Sequence, residues 1–600
     1  MYVYDVYVVY VVCVTCFAQT DLYVYVCDQS KVYYEQQQEQ NATPQVGRNR
    51  VDPEKLFTVA NFLRMFACII MRGLVLTADD PTFFNGEKHG DKYTRSGATA
   101  VTGLGINDYQ QLLRYMHMAD NSKRPPVDSD EFDQCYHLRT FITFLQEAFV
   151  KWFIPGKDNA VDEAGLPSRF RWLRMYNKDK PNKYFIEVLM ACCSITRFCW
   201  GFFINEKSEK RVLRQNRRLP RGRTTGRGQR QSKYDKVPYF QTEFDERTRV
   251  LQSQVGATTA HIYHFAKMLR SFDNAPGHDR VVTYRLFMDR RWDSLYGHYL
   301  AMSEFGVSCT TTVAKGSRFH VANDDNFPSL KGDTKNLKKR GKYRSAYATV
   351  DGITFRTCLW ADSKLIATVS ADLGTEEKVC YRRVGRHEKP IACPNMVFVR
   401  GKWFRAVDQN DQMRLNKWHF EFVTRKKPWQ KAVFGLTELL LINIYIISSF
   451  VSKELTTHGF RWALLLQMVQ RAEELEAAAT ATTAIASPAR QVEVPTQYSS
   501  VGRWHPDSVT LHHHDDCPDY VTPEQAIINQ TIMDEDPAVR ISNKKPRERD
   551  KKRADNKVRN PMFTGGALCV VCRYHCDEDR GYPRLRRTNK YCRECSTDPH

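Results

Sequence analysis

The sequence predicts an α/β protein of several domains, on three observations. Its 600 residues exceed what one hydrophobic core usually organises. Segments with apolar residues at helical spacing are followed by short, almost uninterrupted apolar runs that read as buried strands. A hydrophobic content of 42% supports globular folding, and 89 basic against 68 acidic residues leave a net charge of +21. That excess favours a polyanionic partner, nucleic acid before others.

Residues 1–50 form a low-complexity, irregular N-terminal segment. "MYVYDVYVVYVVCVTCFAQT" alternates Tyr and Val as a strand would; it lacks a basic leader, carries Asp5, and is short for a membrane span. "SKVYYEQQQEQNATPQVGRNR" (30–50) is polar and is expected to be disordered. A helical N-terminal domain follows over 51–153. It opens at Asp52-Pro53-Glu54, and Val59, Phe62, Leu63, Phe66 and Ile70 then share one helical face. Residues 106–121 and 138–153 are further helices.

The pattern changes over 154–300. "YFIEVLMACC" (184–193) and "RFCWGFFI" (197–204) are nearly continuous apolar runs joined by a polar turn, as in a sheet covered on both faces. A basic loop, 207–233, carries 11 Lys or Arg in 27 residues and suits phosphate contacts. A helix at 259–272 precedes the strand "RVVTYRLFMD" (280–289). Residues 301–398 are β-rich: a strand at 306–313, a basic stretch at 337–345, and a hairpin over 352–372 turning at 361–363. Residues 399–475 read as helical. Their apolar run 435–451 contains Glu438 and Asn443, which suits a core helix rather than a membrane span, so no membrane partner is expected. Residues 476–560 are a linker. Its "HHHDDC" (512–517) is assigned no function, and its basic run 544–559 reads as a nuclear localisation signal or a DNA-contacting arm. A cysteine-rich domain closes the chain over 561–600. The other thiols are scattered, as in a reducing compartment.

Three stretches place an acid where a strand or helix can present it: "PGKDNAVDEAG" (155–165), "FMDRRWDSL" (287–295) and "RAVDQNDQMR" (405–414). Taken singly, each acid suits a cap or a solvated charge. In order and spacing together, the chain resembles the piggyBac-type transposases. "LLRYMHMADN" (112–121) is similar to the helix that precedes the family's catalytic domain. "IPGKDNAVDE" resembles its "VPG…iDE", and "FRWLRMYNKDKPNKYF" (170–185) the motif after it. Asp289, Trp292, Ser294 and Leu295 match "DnfFtSl"; Trp360, Asp362, Lys364 and Ser370 match its "W-D-K-v-ST" strand pair. Val407, Asp408, Asp411 and Met413 match "GVDraDqlr", while Trp429 and "NIYI" (443–446) match the later "kW…NAyi". Where the family writes glycines, this chain has Ser168 to Arg171, Asn205, Cys309 to Thr311, and Arg405-Ala406, and close backbone packing is expected to suffer there.

The resemblance implies a ribonuclease-H-like mixed sheet with an inserted β-rich domain between Asp289 and Asp408. It implies a catalytic triad of Asp162, Asp289 and Asp408, with Asp162 on or just after the first strand, Asp289 after the fourth and Asp408 on a helix. Three such carboxylates repel one another unless a cation joins them, and magnesium takes oxygen ligands of this kind. Asp411, three residues after Asp408 on the same helical face, is either a fourth acid or a partner of Arg414 or Lys417. Arg290 and Arg291 are expected to neutralise the cluster or hold phosphate. The implied activity is metal-dependent cut-and-paste transposition on double-stranded DNA, by a homodimer, in the nucleus.

In the tail, Cys569, Cys572, Cys592 and Cys595 form two C-x2-C pairs with 19 residues between them, near the spacing of a structural zinc ribbon. One Zn2+ is expected, with His575, Cys576 and His600 as spare ligands for a second. Two other functions stay open: a domesticated or inactive derivative that binds DNA without cutting it, and a zinc-dependent interaction protein.

Overall fold

The first part of the polar run after the aromatic N-terminus, residues 30–40, is helical. The computed structural model describes residues 20–40, 51–75, 80–89, 92–126, 129, 131–178, 180, 182–206, 243–274, 283–313, 337, 339–384, 386–415, 427–451 and 455–485, all within the first of the chain's two units (1–499). Its first helix, α1, spans Thr20–Gln40. Gln and Glu are good helix formers. Tyr33 stacks on His117 with ring centroids 4.1 Å apart, and Tyr34 meets Tyr115 edge-on at 5.0 Å. The expectation of disorder over 30–50 is thus corrected for residues 30–40, where aromatic anchors override a low-complexity composition. The Tyr/Val-rich residues 1–19 lie outside the described residues.

Asp52 caps α2 (Pro53–Leu56) by accepting from the Glu54 N–H, and Thr58 caps α3 (Val59–Leu74), which buries Phe62, Leu63, Phe66 and Ile70. Short elements follow: α4 (Asp80–Asn85), a hairpin of β1 (Gly86–His89) and β2 (Lys92–Ser96), and α5 (Ala98–Thr102). Next come α6 (Ile106–Tyr115) and α7 (Arg139–Trp152).

The central sheet is built from β3 (Asp158–Pro167), β4 (Arg174–Tyr176), β5 (Tyr184–Cys193) and β6 (Cys199–Ile204). After α8 (Glu246–Gln254) and α9 (Ala257–Ser271) it continues with β7 (Arg285–Met288), α10 (Leu295–Phe305) and β8 (Ser308–Thr312). β9 (Tyr343–Val350), β10 (Ile353–Ala361) and β11 (Leu365–Ser370) complete it. Among the described residues this is a nine-stranded mixed sheet in the order β4-β5-β3-β7-β8-β11-β10-β9, with β6 also on β5. The β3–β7 and β7–β8 pairs are parallel and the others antiparallel.

The β-rich insertion takes a form other than a separate domain. Its strands β9 to β11 extend the central sheet through the β11–β8 pairing, and the 361–363 turn closes the β10–β11 hairpin. Only β12 (Glu377–Val384) and β13 (His387–Pro394) stand as a ribbon of their own. Asp362 ties the hairpin to that ribbon, accepting from Arg340 Nε at 2.6 Å and from Arg382 Nε at 3.2 Å.

Helices α11 (Asn395–Trp403), α12 (Ala406–Arg414), α13 (Pro428–Val451) and α14 (Thr457–Ile485) follow. The last of them continues past 475 into the expected linker. Helix α13 is long and apolar enough to cross a membrane, yet 72% of that stretch is buried inside the protein. Its Glu438 accepts from buried Arg461 (Nη1–Oε1 3.1 Å), and Asn443 exchanges hydrogen bonds of 3.0 and 2.8 Å with the Cys199 backbone. These polar interruptions are satisfied core contacts, as expected of a core helix. Against the sheet, Leu166 of β3 packs on Gly435 of α13, while Gly201 of β6, on the opposite face, packs on Met268 of α9. The sheet is covered on both sides, which explains the near-continuous apolar runs of β5 and β6.

The basic loop 207–233 lies outside the described residues, but the residues before and after the gap share one anchor. Arg139 binds Glu206 (2.7 Å) just before it and Glu243 (2.7 Å) just after it, and Asp133 (2.8 Å) as well. Asp133, Cys135 and Glu206 place their ligand atoms within 4.8 Å of one another, as a metal site could. The guanidinium already occupies the two carboxylates, so the cluster reads as an arginine-centred ion network. Glu206 is 2% exposed, and burial, with Glu206 adding repulsion, pushes the Glu243 carboxyl up to about 7. Arg139→Met is expected to destabilise the protein by about 3–5 kcal/mol by leaving buried carboxylates unpaired. Urea melts of the two proteins test this, and a loss under about 1 kcal/mol would show that the network carries little of the fold's stability.

Candidate active site

Three elements bring the predicted acids to one corner of the sheet. β3 and β7 are parallel neighbours with Ala160 opposite Phe287. Two residues further along each strand, the same register sets Asp162 beside Asp289, on the same face. Asp162 lies within β3. Asp289 follows the last residue of β7 with its backbone still extended. Asp408 comes from the first turn of α12, which packs on β3.

The carboxylates feel one another. Burial pushes the Asp162 carboxyl up to about 7, and Glu163, Asp289 and Asp408 add to the rise while the Glu163 N–H opposes it. Asp408 is the most open of the three. Its carboxyl is also held above the usual range, by partial burial and then by Asp411, with Asp289 contributing and Arg405 and Lys180 opposing. One oxygen of each strand acid has a local task. Asp162 Oδ1 accepts from the Glu163 N–H at 2.8 Å, and Asp289 Oδ1 caps the turn at 290–292 through the Arg291 N–H at 2.7 Å.

The remaining predicted residues divide. Asp411 Oδ1 accepts from Arg414 at 2.9 Å, and the same guanidinium donates to the Gly165 carbonyl at 3.0 Å, tying α12 to β3. Arg291 binds Glu163 (2.5 Å) and Glu187 (2.8 Å), on the face of β3 opposite Asp162. It neutralises those acids rather than the Asp162 corner, and Arg290 is exposed. The zinc candidates Cys569, Cys572, Cys592 and Cys595, with His575, Cys576 and His600, lie outside the described residues.

Sequence reasoning missed Arg400 of α11. It donates from Nε to the Met288 carbonyl at 2.9 Å, immediately before Asp289. It also passed over Glu163 and Glu187, although Glu163 adjoins Asp162 in the quoted motif. The replaced glycines show no positive-φ backbone among the described residues. Non-glycine residues with positive φ, among those described, are Arg197 and Asp351, neither at those positions. Ser168 even adds contacts: its Oγ accepts from the Phe170 N–H and donates to the Pro428 carbonyl, each at 3.1 Å.

Asp162 gives the site a stability signature. Between the ordinary Asp value near 4 and about 7, the folded chain keeps a proton that the unfolded chain has lost. Stability is therefore lost as pH rises through that window. In chelator, Asp162→Asn is expected to match the parent near pH 4. At pH 7.5 it is expected to exceed the parent by a few kcal/mol, up to about 4, since each tenfold difference in proton affinity corresponds to about 1.4 kcal/mol. Urea melts from pH 4 to 8 check it; a difference that does not vary with pH would refute the assignment.

Comparison with known proteins bears on this corner. Residues 27–233, which include Asp162, match the family model described as "Transposase IS4". No curated protein matches the chain in sequence. Among solved structures, the fold is similar to the cryo-EM structure of piggyBac transposase in a synaptic complex with hairpin DNA. The TM-score is 0.51 at 18% identity, over 82% of this chain and 88% of that one. Family model and fold agree, and the resemblance to piggyBac-type transposases read from the motifs is borne out.

Proposed function

We propose that this chain is a transposase that cleaves and rejoins double-stranded DNA at the corner formed by Asp162, Asp289 and Asp408. The observation that carries the reading is the β3–β7 register, which sets two acids side by side while α12 presents a third. The strand order β6-β5-β3-β7-β8, antiparallel through β3 and parallel beyond it, supports reading the sheet as a ribonuclease-H-like core. The donor set fits magnesium, since it offers hard carboxylate oxygens from three elements. Bound there, the metal would supply the charge that ionises an attacking oxygen and stabilises a leaving one.

The chain's own residues prepare the corner. Burial lets Asp162 keep its proton up to about 7, and a cation bound there would displace it. Asp289 is fixed by the turn it caps. Asp411 acts as a positioning residue through Arg414 and Gly165, which set the first turn of α12 over β3. Arg291 keeps Glu163 and Glu187 engaged on the far face.

Double-stranded DNA is the proposed substrate, by likeness to the synaptic complex, and two DNA ends ask for two active sites, hence a homodimer. The nucleus is the proposed compartment, and the C-terminal cysteines are proposed to hold Zn2+. In a magnesium-dependent nicking assay on the DNA flanking its own gene, the parent protein is expected to nick. Asp162→Ala, Asp289→Ala and Asp408→Ala are each expected to fall by about a thousandfold or more. Equal nicking by the parent and Asp289→Ala would overturn the site. Salt-sensitive binding without nicking by the parent would favour the non-cutting DNA-binding derivative.

A further inference from the structure

Arg400 brings a fixed positive charge to the acid corner without bonding to it. Its Nε is held by the neutral Met288 carbonyl at 2.9 Å, and its guanidinium lies over the Phe404 ring at 4.2 Å. Among the described residues it forms no salt bridge, unlike Arg291, Arg414 and Arg285, each bound to a carboxylate. Burial lowers its pKa to about 10, while Asp289 and Asp162 favour its charge, so it is cationic at neutral pH. The other charges acting on the corner are Glu163, Asp408 and Asp411 on the acidic side and Lys180 and Arg405 on the basic side.

Resting on the reading of this corner as a divalent-cation site, we propose that Arg400 is a positioning residue that weakens cation binding while no DNA is present. A fixed unit charge tethered to the residue before Asp289 repels an entering divalent ion through a partly buried medium, where screening is weak. A DNA phosphate arriving at the same corner would offset that charge, so cation loading becomes coupled to substrate binding.

The test measures Mn2+ affinity by electron paramagnetic resonance of the free ion, without DNA, for the parent, Arg400→Met, Arg400→Gln and Arg400→Lys. Asp289→Asn serves as control. Removing the charge is expected to tighten binding by about tenfold or more, and Arg400→Lys is expected to keep the parent affinity. Adding a short duplex should tighten the parent more than Arg400→Met. Structural damage would loosen binding, so a tighter folded variant separates the electrostatic role from a packing role. Equal or weaker affinity in both neutral variants overturns the inference and leaves the cation site standing. Binding indifferent to Asp289→Asn, or none in any protein, overturns the site itself and this inference with it.

Discussion

Parallel pairing of β3 with β7 is the contact on which the acid corner depends. A strand slipped by one residue sends each side chain to the other face, so Asp162 meets Asp289 only in the observed register. That register is fixed from both sides of β3. Asn159 Oδ1 accepts from the buried Trp200 indole at 2.9 Å on one face, and Leu166 packs on Gly435 on the other. Asp158 adds a cross-strand ion pair with Arg285 at 2.6 Å, at the start of the pairing. The helical shell therefore does more than cover the sheet: by pinning one central strand it sets the relation between two carboxylates 127 positions apart in sequence.

Adjacent residues of β3 meet different partners because the strand alternates its faces. Glu163 looks toward Arg291, whose guanidinium also holds Glu187. Burial alone would raise the Glu187 carboxyl, but the Arg291 bonds bring it below the usual range. Asp162, one residue earlier, faces α11 and α12 and has burial and other acids for company. An ion-paired face and one without a direct ion pair on Asp162 among the described residues thus sit back to back. Such an imbalance is common where a protein keeps a place for a charged ligand, although ion networks built for stability also perturb pKa values.

Much of this was legible in the chain. Local rules gave the strands β5 and β6, the β10–β11 hairpin and the core character of α13, since apolar continuity, turn residues and a polar interruption act within a dozen residues. The three acids were legible through order and spacing against a family pattern. What escaped is non-local or compositionally disguised. Residues 30–40 look disordered because their polar side chains dominate the composition, while two tyrosines decide the outcome. The union of β9 to β11 with the central sheet depends on β11 pairing with β8 across more than fifty residues, which no local pattern announces. Arg400 sits in "FVRGKW", a stretch with no motif, and its importance comes from the Met288 carbonyl 112 residues away.

An acid corner in a chain of net charge +21 poses a physical problem. The summed field draws a polyanion toward the protein, but near the carboxylates the local field would repel its phosphates. The arrangement around Asp162 reduces that conflict in two ways. Burial keeps the carboxyl protonated up to about 7, which removes part of the local negative charge near neutral pH. Arg400, Lys180 and Arg405 then surround the remaining acids with positive charge without closing a salt bridge on Asp162 or Asp289 among the described residues. An acid pair sealed by direct ion pairs, as around Arg139, would be stable and inert; one balanced at a distance can still exchange a proton, a cation or a phosphate. The contrast between those two clusters, built from the same residue types in one protein, is the physical ground on which the proposed chemistry is assigned to the Asp162 corner rather than to Asp133.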